Sequence, residues 1–246
     1  VVVSPELLKY GPGPGSEVLE VPGPLSEAVV RRRVNRFLVE LQDGRPCHLH
    51  DPGRLQDLIY PGSRVLVRPT RGARTSCSVT ASWAGEAAGW VLIDSRFHSD
   101  VAARFLPPGA EREVRVGRSR LDFRLGDVYV EVKGCTLARG GVALFPDAPT
   151  DRGARHVREL EELASSGHGA MLMVLDMRSD ATCFSPNWET DPKFAGALLE
   201  ALRKGVALRV LKFAFRPPHL IYIGDIGLCP GALFKGAGAQ PRQGLP

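Results

Sequence analysis

Long apolar runs are missing from this chain. No stretch approaches the ~18 consecutive apolar residues that cross a bilayer, so no membrane-spanning helix and no membrane partner are expected. The first residues also lack the basic-then-apolar-then-small order of a secretory signal, which leaves a cytoplasmic protein as the expectation. Paired cysteine motifs are absent too. The five cysteines, at positions 47, 77, 135, 183 and 229, are odd in number and widely spread, with no C-x-x-C. That pattern disfavours a structural zinc and predicts free thiols in a reducing compartment. Cys47, His48 and His50 do cluster, but alternation along a strand makes them a poor tetrahedral set. Neither G-x-x-x-x-G-K-[ST] nor G-x-G-x-x-G occurs, which disfavours the nucleotide folds that use those loops. Lysine is scarce: six of the 32 basic residues.

What is present is 246 residues of ordinary globular composition, 43% hydrophobic and 24% charged, enough for one large or two modest domains. The net charge is +5, and its placement is informative. Between Ser26 and Arg74 lie ten basic and five acidic residues, so this segment carries the whole excess. A basic N-terminal half suggests a polyanionic partner, held through its phosphates.

Residues 1–24, rich in Gly and Pro, predict a loosely ordered lead-in with one short strand at Glu17–Val21. Short strands follow at Ser26–Arg32, Phe37–Leu41, Arg45–Leu49, Arg64–Arg68, Ser76–Trp83 and Trp90–Ile93, with a brief helix at Arg54–Ile59. Residues 25–93 therefore predict a small barrel of the OB type. From Asp94 to residue 215 the predicted order is α-β-β-β-α-β, then α-β, a mixed-sheet α/β domain. It includes a loop at Gly134–Pro149, a helix from Asp151 to about Ser165 capped by Thr150, and a helix over 192–204 opened by Asp191-Pro192. A break near Asp94 is expected to separate two compact units. Residues 216–246 form a tail with no assigned role.

Within the second half, Arg120 to Lys133 reads as a β-hairpin turning at Gly126-Asp127. If that turn sets the register, Asp122 faces Glu131, Arg120 faces Lys133, and Leu121, Phe123 and Leu125 form an apolar face with Val132, Val130 and Val128. Two carboxylates opposite one another are destabilising. At about 5 Å and an effective dielectric near 20, the repulsion is roughly 3 kcal/mol. A divalent cation, Mg²⁺ or Mn²⁺, would turn that repulsion into a site. Lys133, on the same side, could then orient water or stabilise phosphoryl charge. The plain alternative is a surface hairpin whose basic residues neutralise its acids.

Arg31, Arg33 and Arg36 belong to a strip of four arginines in six residues, either a phosphate-contacting edge or a charged edge strand that resists aggregation. Arg54 follows His50-Asp-Pro-Gly and sits where a helix start could meet a phosphate, or on a plain surface turn. On the helix from Asp151, His156 falls within the apolar arc near the N-terminal end. It is a core histidine or one that reaches the carboxylates, with Arg152 beside it toward solvent.

These motifs resemble the sugar fermentation stimulation protein family across residues ~25–215. The resemblance is carried by Asn35-Arg-Phe37, His50-Asp-Pro-Gly-Arg-Leu55, Pro61-Gly62, Trp90-Val-Leu-Ile-Asp94, Ser119-Arg-Leu-Asp-Phe123, Glu131-Val-Lys133, Phe145-Pro-Asp-Ala-Pro-Thr150, Arg152-Gly-x-x-His156 and Asp191-Pro192. It departs at Ser99, where the family usually has Asn. The resemblance implies an N-terminal OB-like domain and a C-terminal domain of the PD-(D/E)xK nuclease type. It also implies non-specific DNA binding and a regulatory link to sugar metabolism. Asp122, Glu131 and Lys133 match the nuclease motif, and Glu113 matches a further acidic position. The expected chemistry is metal-dependent phosphodiester hydrolysis, with Asp122, Glu131, the Val132 carbonyl and Glu113 as ligands and Arg120, Arg152 and His156 near the DNA. Its rivals are a non-enzymatic DNA-binding regulator that uses the fold as a scaffold and a binder of phosphorylated metabolites.

Overall fold

The computed structural model describes residues 2–70, 75–117 and 119–234. Arg71 and Arg74 of the basic tract, and residues 235–246 of the expected tail, lie outside the described residues.

A short helix, α1 (Pro5–Lys9), and strand β1 (Glu17–Glu20) precede the barrel strands β2 (Ser26–Asn35), β3 (Leu38–Leu41), β4 (Pro46–Leu49), β5 (Arg64–Pro69) and β6 (Cys77–Trp83). The antiparallel pairs β2–β3, β3–β4, β5–β6 and β2–β5, closed by the parallel pair β4–β6, make a five-stranded barrel of the expected OB type. Alternation drives this closure. Val39 and Leu41 on β3, Cys47 and Leu49 on β4, and Val65 and Val67 on β5 point inward and are almost fully buried. The expected helix at Arg54–Ile59 is instead one hydrogen-bonded turn at Leu55–Ile59. Leu55 and Leu58 are buried against the barrel there, so tertiary packing fixes the segment.

Strand β7 (Trp90–Leu92) extends β6, and a linker helix, α2 (His98–Ala103), leads on. The second half contains β8 (Glu111–Val116), β9 (Ser119–Leu125), β10 (Val128–Cys135), β11 (Leu137–Arg139), β12 (Val142–Phe145), α3 (Asp151–Ser165), β13 (Gly169–Asp176), β14 (Cys183–Pro186), α4 (Pro192–Arg203), β15 (Ala207–Arg216) and β16 (His219–Ile226). The antiparallel strands β8, β9 and β10 join the parallel run β10–β13–β15. Helices α3 and α4 cover one face through Val157, Leu160, Phe194 and Leu198. The other face packs on α2 and the barrel through Phe105, Met171, Met173 and Phe213. This is the expected mixed α/β, nuclease-like domain. Thr150 and Asp191 cap α3 and α4 as their positions in the sequence suggest, accepting from the Gly153 and Phe194 amides at 2.9 Å each.

Four expectations are corrected. The loop expected at Gly134–Pro149 contains β11 and β12, which pair with β14 in a second, three-stranded sheet. The strand expected at Glu17–Val21 is present as β1, but the lead-in and the start of the tail are built into the sheet, because β16 pairs with both β15 and β1. The two halves are not separate units. Phe215 on β15 pairs with Trp90 on β7, so one sheet and one apolar cluster run through both. Finally, the thiols are not all free: Cys47 pairs with Cys77 and Cys183 with Cys229, leaving Cys135 as the buried free cysteine. Among the described residues, no helix is long and apolar enough to cross a membrane.

Candidate active site

The hairpin keeps its predicted register at first: Leu125 pairs with Val128, Arg124 with Tyr129 and Phe123 with Val130. There the ladder ends. Asp122 is not paired with Glu131, nor Arg120 with Lys133. Instead the Asp122 carboxylate takes the place of a ladder acceptor, receiving the Val132 amide at 2.7 Å. Along its other edge β10 pairs in parallel with β13 over its whole length, with Glu131 opposite Leu172 and Lys133 opposite Val174. The expected single apolar face divides as well. Leu121 packs in the α3–α4 layer, while Phe123 and Val130 pack in the opposite one. A strand leaving its ladder beside the acidic pair is what brings Asp122 down onto the β10 backbone.

The second correction concerns burial. The carboxylate side is not a surface, because α3 lies over it and Glu131 is only 2% exposed. One carboxylate oxygen of Glu131, Oε1, accepts from both Lys133 Nζ and His156 Nδ1. The other, Oε2, is buried without a hydrogen-bond partner. Burial pushes the Glu131 carboxyl up, but His156 and Lys133 together outweigh it and hold the group below its ordinary value. Asp122 goes the other way: burial first, then the charge of Glu131, raises it to about 6. The two neighbouring carboxyls are thus shifted in opposite directions.

His156 is both of the things its helical position suggested. It is fully buried and also reaches Glu131. Arg152 Nε donates to His156 Nε2 at 3.4 Å, which leaves Nδ1 as the donor to Glu131. Glu113 borders the same cleft, but its carboxylate is exposed and lies 3.5 Å from Arg120 Nη1. Among the described residues, no three His, Cys, Asp or Glu side chains converge as a ready-made ligand set. The fit to a hard cation therefore rests on Asp122 and on the unpartnered Glu131 Oε2, both oxygen donors of the kind such ions take.

The cleft holds about 510 Å³ and is lined from both halves. Asp122, Val132 and Lys133 border it together with Arg36 and Asp51–Gly53 of the barrel, and with 144–150, Arg152 and Gly153 of the second domain. Asp147, which like Asp51 had no role expected from the sequence, joins the two walls, while Asp51 shapes its own turn. Asp147 accepts the Leu55 amide at 2.9 Å, and Asp51 accepts the Gly53 amide at 2.6 Å. A Cβ at Gly53 would sit 2.6 Å from Asp147 Oδ2 and 2.8 Å from Asp51 Oδ1, so only glycine lets the walls approach this closely. His98, also missed, has its ring against the backbone of Gly134, where a Cβ would lie 2.1 Å from Cε1. Both aspartates stand inside turn-like motifs, and that placement was their only signal.

The arginines divide sharply. Arg31 and Arg32 are both paired with Glu40. Arg33 is no free phosphate contact: its guanidinium donates to the carbonyls of Asn35, Arg36, Gly53 and Arg54, tying the β2–β3 turn to the 53–54 loop. Its loss should therefore act on the fold. We expect Arg33→Ala to lower stability by about 2 kcal/mol, since four charge-assisted bonds to backbone carbonyls, the one to Gly53 part-buried, are lost together. Faster proteolysis of the 51–55 loop should accompany the shift in melting temperature. An unchanged melting curve would return Arg33 to the surface strip.

Comparison with known proteins agrees with this architecture. Residues 32–93 match the SfsA N-terminal OB domain, and residues 98–219 match the sugar fermentation stimulation protein RE domain. A sugar fermentation stimulation protein homolog of Sulfurisphaera tokodaii is 50% identical over 212 residues, covering 86% of this chain and 93% of the relative. One from Thermoplasma acidophilum is 52% identical over 206 residues, covering 82% and 91%. Among solved structures, SfsA of Pyrococcus furiosus in complex with Ca²⁺ is 31% identical with a TM-score of 0.78, covering 87% of this chain and 100% of that one. With the closed barrel, the mixed sheet and matches along most of its length, this chain belongs to the sugar fermentation stimulation protein family.

Proposed function

We propose that this protein binds DNA in the cleft between its two halves and hydrolyses phosphodiesters there with Mg²⁺ or Mn²⁺. The observation that carries this reading is Glu131: a buried carboxylate with one oxygen held by Lys133 and His156, the other unpartnered, and Asp122 alongside. Asp122 and Glu131, with the Val132 carbonyl and Glu113, are the groups that would hold the ion. The relative described with Ca²⁺ supports an oxygen-ligated cation, since Ca²⁺ and Mg²⁺ share that ligand type. When bound, a divalent ion supplies charge that polarises a phosphate and makes water a stronger acid.

The remaining work falls to side chains. His156, positioned by Arg152, fixes the orientation of Glu131. Lys133 borders the cleft and presents an ammonium to a phosphate oxygen or to the attacking water. Arg36 and Arg152 place positive charge at the rim, where backbone phosphates would lie. The expected partner is DNA without sequence preference, in a cytoplasmic setting. A non-enzymatic regulator of sugar use on the same scaffold is the rival. It is favoured by the absence of a converged three-residue ligand set among the described residues and by the names of the relatives.

Labelled DNA with millimolar Mg²⁺ or Mn²⁺ tests the choice. Wild type should cut, Glu131→Gln should lose at least ~100-fold, and Lys133→Ala should lose cleavage while keeping its metal-dependent rise in melting temperature. Removing one phosphate contact, Arg36 or Arg54, should lower the slope of log K against log[salt] by about 1. Wild type that binds DNA but leaves it uncut with both metals decides for the regulator.

A further inference from the structure

Of the eight described arginines in the barrel strands and loops, six are engaged. Arg31 and Arg32 meet Glu40, Arg45 meets Asp43, Arg64 meets Glu27, Arg68 meets Asp94, and Arg33 binds carbonyls. Arg36 and Arg54 are the two exposed ones without an acidic partner among the described residues. They are brought together because Arg33 grips the Arg36 carbonyl and the Gly53–Arg54 carbonyls at once. Arg36 borders the cleft that contains Asp122 and Lys133.

Beside Arg36 stands Phe37, 47% exposed although it is a large apolar ring. Its plane lies within 6° of the His48 ring at 6.3 Å, and His48 lies 4.1 Å from His50. The Phe37 amide is fixed by Asn35 Oδ1 at 2.8 Å and its carbonyl by the Leu49 amide at 2.9 Å, so an ordered backbone presents this ring to solvent. An exposed, positioned aromatic next to Arg36, on the turn that Arg33 ties to Arg54, is a platform for a base face with phosphates nearby.

We propose that the Arg36–Phe37 corner, with His48 behind it and Arg54 beside it, is a stacking subsite for an unpaired DNA base. The preferred substrate is then a single strand or a frayed end leading into the cleft. In a continuous duplex the base faces are covered by their neighbours and cannot meet Phe37, whereas an unpaired base can. Phosphates on either side of the stacked base lie against Arg36 and Arg54, and the strand continues toward Lys133. This inference rests on the nucleic-acid reading of the cleft and adds the strand preference and the residue that sets it.

The test uses fluorescence anisotropy with a labelled 15-nucleotide single strand and the matching blunt duplex, in EDTA so that nothing is cut. Wild type should bind the single strand at least ~10-fold tighter than the duplex. Phe37→Ala should lose about 10-fold on the single strand and less than 2-fold on the duplex, because one base–ring stack is removed. Phe37→Trp should keep tight single-strand binding, with its added emission quenched by the oligonucleotide. Phe37 is exposed, so these variants should fold as the wild type does. If Phe37→Ala leaves the single-strand to duplex ratio unchanged, the stacking subsite is overturned while the DNA reading stands. If wild type binds neither, both fall together.

Discussion

Reduction with dithiothreitol should lower the melting temperature of this protein by roughly 15–30 °C, the largest single effect we expect. Cys47 on β4 and Cys77 on β6 are register partners in the parallel pair that closes the barrel, with Cα atoms 4.5 Å apart. Cys183 on β14 and Cys229 are 5.0 Å apart and fasten the end of the described chain to the second sheet. Both separations lie in the range a disulfide spans. The bridged residues are 30 and 46 positions apart. Loop-closure entropy then gives about 3.5–4 kcal/mol for each bridge. For a domain of this size, 1 kcal/mol moves the midpoint by about 2–4 °C. A thiol count on denatured, unreduced protein checks the premise: one reactive thiol, Cys135, is expected. Five would remove the bridges from the account. Cys47→Ser with Cys77→Ser should show about half the loss and leave a smaller response to reductant.

The cysteines mark the limit of what the chain discloses. Five scattered positions allow many pairings, and only the fold puts Cys47 opposite Cys77. The barrel was legible because each strand alternates, as in Val39–Leu41 and Cys47–Leu49, and because Gly and Pro punctuate the turns. Strands β11, β12 and β14 were not. Each has only three or four residues, and although β11 and β12 form a local hairpin, the pairing of β12 with β14 is set by contacts across about 40 positions. The reading chose Asp122, Glu131, Lys133 and His156 correctly as neighbours but drew the wrong geometry. It extended a hairpin register past Val130, whereas the β9 ladder stops there and the Asp122 carboxylate takes the Val132 amide in place of a backbone acceptor. Asp51 and Asp147 both look like turn-formers in the sequence; Asp51 is one, whereas the Leu55 amide bond to Asp147 exists only once the barrel docks on the second domain. Arg33 shows the converse. Composition put it among the phosphate contacts, yet four carbonyls occupy it.

Replacing Asp122 with Asn should make the metal-free protein more stable above pH 6 and leave it nearly unchanged near pH 4. Burial and the neighbouring Glu131 raise the Asp122 carboxyl from 3.8 to about 6. Between those values the folded chain holds a proton that the unfolded chain has released. Stability therefore falls as pH rises through that window, and the full cost is present above it. Asn cannot ionise, yet its side-chain carbonyl can still accept from the Val132 amide, so the variant escapes the cost and keeps the contact. The gain reaches at most about 3 kcal/mol. Glu131 acts in the opposite sense: its depressed carboxyl contributes stability above its ordinary 4.5 that is lost as pH falls. It is present in both proteins, so the difference between their melting curves isolates Asp122. Millimolar Mg²⁺ or Mn²⁺ should then close most of that gap. An ion bound at 100 times its dissociation constant stabilises the wild type by about 2.7 kcal/mol, and Asp122→Asn should lose most of that gain. A difference that stays flat from pH 4 to 8 in EDTA, with equal metal response in both proteins, would show that Asp122 is neither strained by its neighbour nor a ligand.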